Sequence, residues 1–430
     1  MERTNEDAIR QLVEFREQVY TCMKKSGDVL FDIIDALMVY RGASSFVELT
    51  ESGVFQRGWA SAYGGMKRGE IDREEVLKII FGIVPKQEKP LWVVDHSIWE
   101  RPDAPTVKDR GYHHKAGGSI GGKPVGVGHD YSTLGVVAEG GGSWCLPFDS
   151  SRITSMKTPV EEAAEQLREV LSHTSVRPTV LGDSEYGCAP FLKGTADLNC
   201  NKLLRLRPNR VLYREPEAYC GMGRPPIHGE KFSLKDPTTW GEPEEEINLT
   251  DEELGEIILQ RWDKLHQKEA ADCPFTLIHL VRPSAKGTRR DPKEMWLIWT
   301  GEELPSLAEA WRPYLRRFTI EHFYRFIKGP LMWTKPRFMN PEEAQLWTDL
   351  VNIAYWQLWL ARPIVKDLIR PWEKPSAKLT PGRVKRAMPG LLARIGTPSK
   401  VPKPRGKSSG RPKGFHPKPY IRYPVVKKTA

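Results

Sequence analysis

The stretch YLRRFTIEHFYRFIKGPL, residues 314–331, constrains this chain more than any other. Read as a helix at about 100° per residue, Tyr314, Arg317, Glu321 and Lys328 fall at about 0°, 300°, 340° and 320°, a sector of roughly 60°. One face then carries a carboxylate flanked by two cations and a phenol. A carboxylate can hold a divalent metal, and Arg and Lys beside it can hold phosphate oxygens, a combination suited to phosphodiester chemistry. The plainer reading makes Phe318, Phe323, Phe326 and Ile327 the core face of an ordinary amphipathic helix whose charges are solvated. The two readings concern opposite faces, so both can hold.

The 430 residues, 39% of them hydrophobic, suffice for two or three domains with a substantial core. The start, MERTNEDAIRQ, is too charged for a signal peptide, and the longest apolar run, at 353–361, is too short to span a bilayer. A cytoplasmic protein with no membrane partner is expected. The six cysteines lie at least 12 residues apart, so no C-x-x-C pair offers a zinc or redox site. The net charge of +10 is uneven: residues 374–430 hold 16 Lys or Arg and no acid, and the rest of the chain is mildly acidic. A basic tail rich in Pro and Gly fits a nucleic-acid-binding arm, although a polybasic tail can also meet anionic membranes. From 397 onward its composition favours disorder in the free protein.

In chain order, residues 5–40 and 44–84 read as helical, separated at GASS, and form either a helix-turn-helix DNA reader or a packing layer. LWVVD follows PKQEKP as a buried strand ending in Asp95, which would deliver a carboxylate to a sheet rim. Residues 123–139 and 143–148 read as two more strands. In TPVEEAAEQLREVLSH, Thr158 caps a helix, Pro159 opens it and Glu161 closes a capping box. RPTVLGD gives a strand ending in Asp183, with Glu185 two residues on as a rival on the same strand face. Either acid could instead cap a turn. The segment AGGSIGGK at 116–123 begins like a phosphate-binding loop, but Pro124 supplies no hydroxyl and blocks the helix that motif needs, which argues against nucleotide hydrolysis.

Between Asp183 and Glu321 lie 137 residues, more than a crossover needs, so a β-rich insertion at about 205–290 is expected. Within it Trp262 sits beside Arg261, Lys264 and His266, where it could stack an unpaired base, though a Trp in such a segment is usually core. Ser306 with Glu309 reads as a capping box leading to the signature stretch, and Asn340 and Pro341 start a Trp- and Leu-rich helix.

The spacing Tyr, two residues, Arg, three residues, Glu, six residues, Lys resembles the signature of bacterial insertion-sequence transposases of the DDE type. Asp95 in LWVVDHS and Asp183 in TVLGDSEYG fill the two upstream acidic positions of that pattern. The resemblance implies an α/β fold: an amino-terminal helical, DNA-binding domain at 1–85, a ribonuclease-H-like catalytic core at 90–373 with its β-rich insertion, and the basic tail at 374–430. Asp95, Asp183 and Glu321 become the expected catalytic metal ligands, for Mg²⁺ or in its place Mn²⁺, since hard oxygen ligands suit both. Tyr314, Arg317 and Lys328, and Trp262 if it stacks, become the DNA-binding residues. The partner implied is double-stranded DNA, as element ends and target, held by a homo-oligomer. The activity implied is metal-dependent cleavage and strand transfer. A domesticated endonuclease that cuts without joining, or a non-catalytic DNA-binding regulator, are the alternatives.

Overall fold

The computed structural model describes residues 5–42, 45–114, 124–140, 142–219, 221, 224–288, 292–302, 304–376, 378–404 and 410–427. The loop resembling a phosphate-binding motif (116–123) and Cys220 lie outside them; the other five cysteines are free thiols. No described helix is long and apolar enough to cross a membrane.

The first 83 residues give α1 (Asn5–Thr21), β1 (Met23–Lys25), α2 (Gly27–Val39), α3 (Phe46–Leu49), α4 (Trp59–Arg68), β2 (Glu70–Ile71) and α5 (Arg73–Ile83). The two stretches read as helical are thus each interrupted by a short strand, and β1 pairs antiparallel with β2 to tie them together. In α2 every residue from Leu30 to Met38 is buried, so the threefold and fourfold apolar spacing marks an interior helix. Its acids are accommodated by buried partners: Arg16 of α1, 2% exposed, donates to Asp35 at 2.7 and 3.1 Å and to the carbonyl of Gly396 at 3.0 Å.

The next elements are β3 (Leu91–Glu100), β4 (Gly111–His114), β5 (Val125–Val137), β6 (Cys145–Ile153), α6 (Pro159–Leu171), β7 (Thr179–Gly182), α7 (Ala189–Gly194) and β8 (Asn201–Leu206). Helix α6 starts as its sequence predicts, with Thr158 accepting from the Glu161 amide and Glu161 accepting from the Thr158 amide at 2.7 Å. After them come β9 (Val211–Tyr213), β10 (Lys231–Ser233), β11 (Glu245–Asp251), β12 (Gly255–Gln267), β13 (Ala270–Val281) and β14 (Glu294–Thr300). All strands from β3 to β14 join one mixed sheet of 12, in the order β10-β9-β12-β13-β14-β8-β7-β3-β5-β4, with β6 also on β5 and β11 also on β12. Only β3, β7 and β8 run parallel to their neighbours at the centre. The β-rich insertion is therefore no separate sheet: β14 pairs antiparallel with β8, so its ladder extends the central sheet.

The chain then returns through α8 (Leu307–Ala310), α9 (Arg312–Leu315), a single 3₁₀ turn at Arg316–Phe318, α10 (Thr319–Lys328), α11 (Pro341–Ala361) and α12 (Pro381–Ile395). The signature stretch is not one regular helix, since a tighter turn, which holds Arg317, separates Tyr314 on α9 from Glu321 and Lys328 on α10. Ser306 forms no side-chain cap at the start of α8. Of the 21 residues of α11, 16 are buried, because this Trp- and Leu-rich helix packs between the sheet strand β6 and the helices α1, α2 and α12. The described tail after α12 runs without helix or strand, as its Pro and Gly content favours, but it lies on the body instead of hanging free. The Ser399 hydroxyl donates to Asp32 at 2.6 Å, and the Tyr423 and Val426 amides each donate at 2.7 Å to the Pro105 and Arg110 carbonyls beside β4.

Candidate active site

Three apolar residues, Trp92, Val93 and Val94, fix β3 in the interior, at 3% exposure or less, and the next residue is Asp95. The strand does not end there as its sequence suggested but runs on to Glu100, because β5 pairs with it residue by residue past Asp95. On one side β3 runs parallel to β7 with Val93 opposite Leu181. Two residues further along the same register Asp95 stands opposite Asp183, which follows the last residue of β7, and adjacent strands lie about 4.8 Å apart. Two carboxylates are thereby brought to one rim of the sheet. Asp183 does form the turn its sequence allowed, its Oδ1 accepting from the Glu185 amide at 2.8 Å. That loop is drawn tight onto β8: a Cβ on Gly187 would sit 2.1 Å from the Arg205 carbonyl oxygen.

Helix α10 lies over this rim because Ile320, Phe323, Tyr324, Phe326 and Ile327 are buried, and its polar side chains then face β3. The Tyr324 hydroxyl donates to the Asp95 carbonyl at 2.9 Å, and Lys328 Nζ donates to Ser97 Oγ at 2.7 Å, two residues along the strand. Arg317 joins the parts, one guanidinium nitrogen lying 3.4 Å from Asp95 Oδ2 and the other 2.8 Å from Glu321 Oε1. Tyr314 is 7% exposed and packs against Arg317, and burial pushes its phenol up to about 12, so it remains neutral. Glu321 keeps 43% of its side chain exposed, whereas Asp95 keeps 17%. The site is open on the helix side and closed on the strand side.

The charges show what this arrangement tolerates. Burial pushes the Asp95 carboxyl up to about 6; Arg317 opposes that shift, and the nearby Asp183 charge adds to it. Burial works against the Arg317 cation too, but Tyr314, Asp95, Glu321 and Asp183 outweigh it and hold the guanidinium charged. Burial pushes the Lys328 ammonium down, with Glu100, Asp130 and Asp95 resisting. Beside Asp95, His96 is clasped between Asp130 (Nδ1, 2.8 Å) and Glu185 (Nε2, 3.1 Å). Burial lowers its pKa, yet the two carboxylates win and raise it to about 11, so both ring nitrogens donate.

Among the described residues no three His, Cys, Asp or Glu side chains already stand together as a metal site. The Arg317 guanidinium lies between Asp95 and Glu321 and contacts both. The donor set nevertheless suits a hard divalent cation, being carboxylate oxygen throughout, with the Asp95 carboxyl pushed up by burial and further by the Asp183 charge beside it. A cation held by all three acids would take over the role of Arg317 toward Asp95.

A sequence model of the DDE superfamily endonucleases matches residues 18–265, more than half of the chain. The chain belongs to this family. Its members are nucleases or transposases that act on DNA and generally use divalent metals such as Mg²⁺, and the mixed α/β architecture with one large sheet agrees with that membership. The matched stretch includes Asp95 and Asp183 and stops before α10, so Tyr314, Arg317, Glu321 and Lys328 rest on spacing and geometry. No curated protein matches the chain.

Of the residues singled out in the sequence, the structure brings seven together: Asp95, Asp183, Glu321, Arg317, Tyr314 and Lys328, with Glu185, the rival to Asp183, held on His96. Trp262 is elsewhere. It is 1% exposed and its indole packs edge-on against Phe232 at 5.2 Å and Trp240 at 6.0 Å, so it has no face to offer an unpaired base and is a core residue of the extended sheet. Three further residues at the site, His96, Asp130 and Tyr324, carry no signal of their role in the sequence. Asp130 follows His129 in GHDY on β5, but only the antiparallel register, with Ile98 opposite Asp130, reveals that it meets His96.

Proposed function

We propose that the protein is a transposase that cuts DNA at element ends and joins the freed strand to a target, with Asp95, Asp183 and Glu321 as its catalytic acids. The observation that carries this reading is the convergence of Asp95 of β3 and Asp183 at the end of β7 with the α10 glutamate through Arg317. We infer that β3, β5, β6, α6 and β7 form a ribonuclease-H-like core, since they supply strand, hairpin, helix and strand in that order around the acids. The three carboxylates would hold Mg²⁺, or Mn²⁺ in its place, and the bound ions would activate the attacking oxygen and stabilise the leaving one. Arg317 from the turn before α10 and Lys328 from its last turn would bind non-bridging phosphate oxygens, and Tyr314 would fix the Arg317 guanidinium. His96, clamped by Asp130 and Glu185, would hold the Asp95 segment in place through its amide, which donates to Asp95 Oδ1 at 2.8 Å.

The amino-terminal layer offers DNA no recognition helix at α2, which is buried. On α4 Trp59, Tyr63 and Lys67 are exposed at successive intervals of four residues, and that face is the one we assign to DNA. A second reading, cutting without joining, makes the same use of the acids. The two are separated by incubating the protein and Mg²⁺ with a labelled duplex that ends in a free 3′ hydroxyl and a plasmid target. Label transferred to plasmid supports the transposase, nicks without transfer support the endonuclease, and neither product under binding conditions supports a regulator.

A further inference from the structure

Immediately after Lys328 the chain enters the wall of a cavity of about 510 Å³, closed on its other sides by the residues after α2 and by the start of α12. Its lining includes five cations, Arg41, Arg370, Arg383, Lys385 and Arg386, against one carboxylate, Glu373. Two of the five are neutralised. Arg386 forks onto Glu373 at 2.6 and 2.7 Å, and Arg383 pairs with Asp367 at 2.6 Å. Among the described residues the other three have no carboxylate partner. Arg41 donates to the Arg386 carbonyl, the Arg370 guanidinium lies 5.6 Å from the centre of the Trp372 ring, and Lys385 donates to the carbonyls of Tyr40 at 3.0 Å and of Pro330.

Lys385 is the informative member. It is 7% exposed, and a lysine so buried ordinarily has an acidic partner. Two carbonyls satisfy two of its three N–H donors and leave its charge uncompensated beside an open cavity. Burial first, then the Arg41 charge, hold its pKa down to about 8, so it is a cation at neutral pH in a place that disfavours cations. An anion entering the cavity would relieve that cost, meeting Lys385, Arg41 and Arg370 at once.

We propose that this cavity is a phosphate site, whose natural occupant is a diester of the DNA strand that also passes the carboxylates. From Glu321 to Gly329 is eight helical residues, about 12 Å at 1.5 Å per residue. Phosphates on one strand rise about 3.4 Å per base step, so the occupant lies roughly three to four steps from the reacting phosphate. This placement rests on the function proposed above; the phosphate chemistry of the cavity does not.

The test uses the full chain without divalent metal, so that no cutting intervenes and a failure of the catalytic reading leaves it unaffected. Thermal unfolding is compared in inorganic phosphate and in chloride at equal ionic strength, and the salt dependence of binding to a labelled duplex is measured, for wild type, Arg41→Ala and Lys385→Met. Phosphate should raise the wild-type midpoint and do so less in both variants, and each variant should flatten the log–log salt slope by about 0.9 for every phosphate it no longer neutralises. Arg41 is exposed, so its variant remains informative even if Lys385→Met folds poorly. A midpoint effect with unchanged slopes keeps the phosphate site but assigns it to free phosphate in place of DNA. No phosphate effect on the wild type, together with an unchanged slope in Arg41→Ala, overturns the proposal.

Discussion

Burial pushes the Asp95 carboxyl up to about 6 even with Arg317 3.4 Å away, and the Asp183 charge beside it adds to that shift. Arg317 is the chain's own counter-charge for this rim, and its planar fork can meet Asp95 and Glu321 at once where a lysine would supply a single point. Replacing it by Ala leaves partly buried carboxylates without a partner, a change that costs on the order of 1–3 kcal/mol. Chemical denaturation of Arg317→Ala in EDTA should show a loss of that size, and Mg²⁺ should restore more stability to the variant than to wild type, since the ion would occupy ground the guanidinium has left. An unchanged denaturation midpoint in EDTA would mean that the 2.8 Å contact to Glu321 contributes nothing to the fold.

At the scale of elements, β3, β7 and α10 make the site, and each was legible for a different reason. An apolar run that stops at an acid marks Asp95 and Asp183, although only β7 ends there while β3 runs on to Glu100. Phe323, Phe326 and Ile327 give the buried face of α10, whereas Phe318, read with them, lies in the turn before it and is exposed. What could not be read was how the elements meet. The His96–Asp130 contact depends on the β3–β5 register, the junction of β14 with β8 depends on a pairing across about a hundred residues, and neither leaves a local trace. Trp262 shows the same limit from the other side. Its cationic neighbours in sequence suggested a nucleic-acid contact, but β-strand alternation turned the indole inward among Phe232, Trp240 and Trp296 while Arg261 went to Glu245. The cavity behind α10 was illegible because Arg41 and Lys385 come together only when α12 packs against α2.

Across the whole molecule the charge is divided, with a mildly acidic body and a tail that holds ten Lys or Arg and no acid from residue 397 onward. The described part of that tail is tied down near Ser399 and again at Tyr423 and Val426, and the lysines and arginines described between those anchors are exposed. Deleting residues 397–430 should therefore weaken binding to all duplexes by a similar factor and flatten the log–log salt slope by up to about 9, the value for ten phosphates at 0.9 each. It should also lower the unfolding midpoint slightly, because Asp32 loses its buried hydroxyl partner. A slope that stays the same after deletion would remove the tail from the DNA interface. The tail also adds to whatever DNA the rim of acids receives, so the chemical step on pre-bound ends should persist without it.

The central claim is that Asp95, Asp183 and Glu321 act as one site. The most direct measurement is cleavage of a labelled duplex in Mg²⁺ by wild type and by Asp95→Ala, Asp183→Ala and Glu321→Ala, with far-ultraviolet circular dichroism and duplex affinity recorded for each. We expect cleavage by wild type that stops on chelation, and a loss of several hundredfold or more in each variant, with spectrum and affinity preserved. Any single variant that cuts at the wild-type rate would contradict the account, because one of the three acids would then stand outside the site.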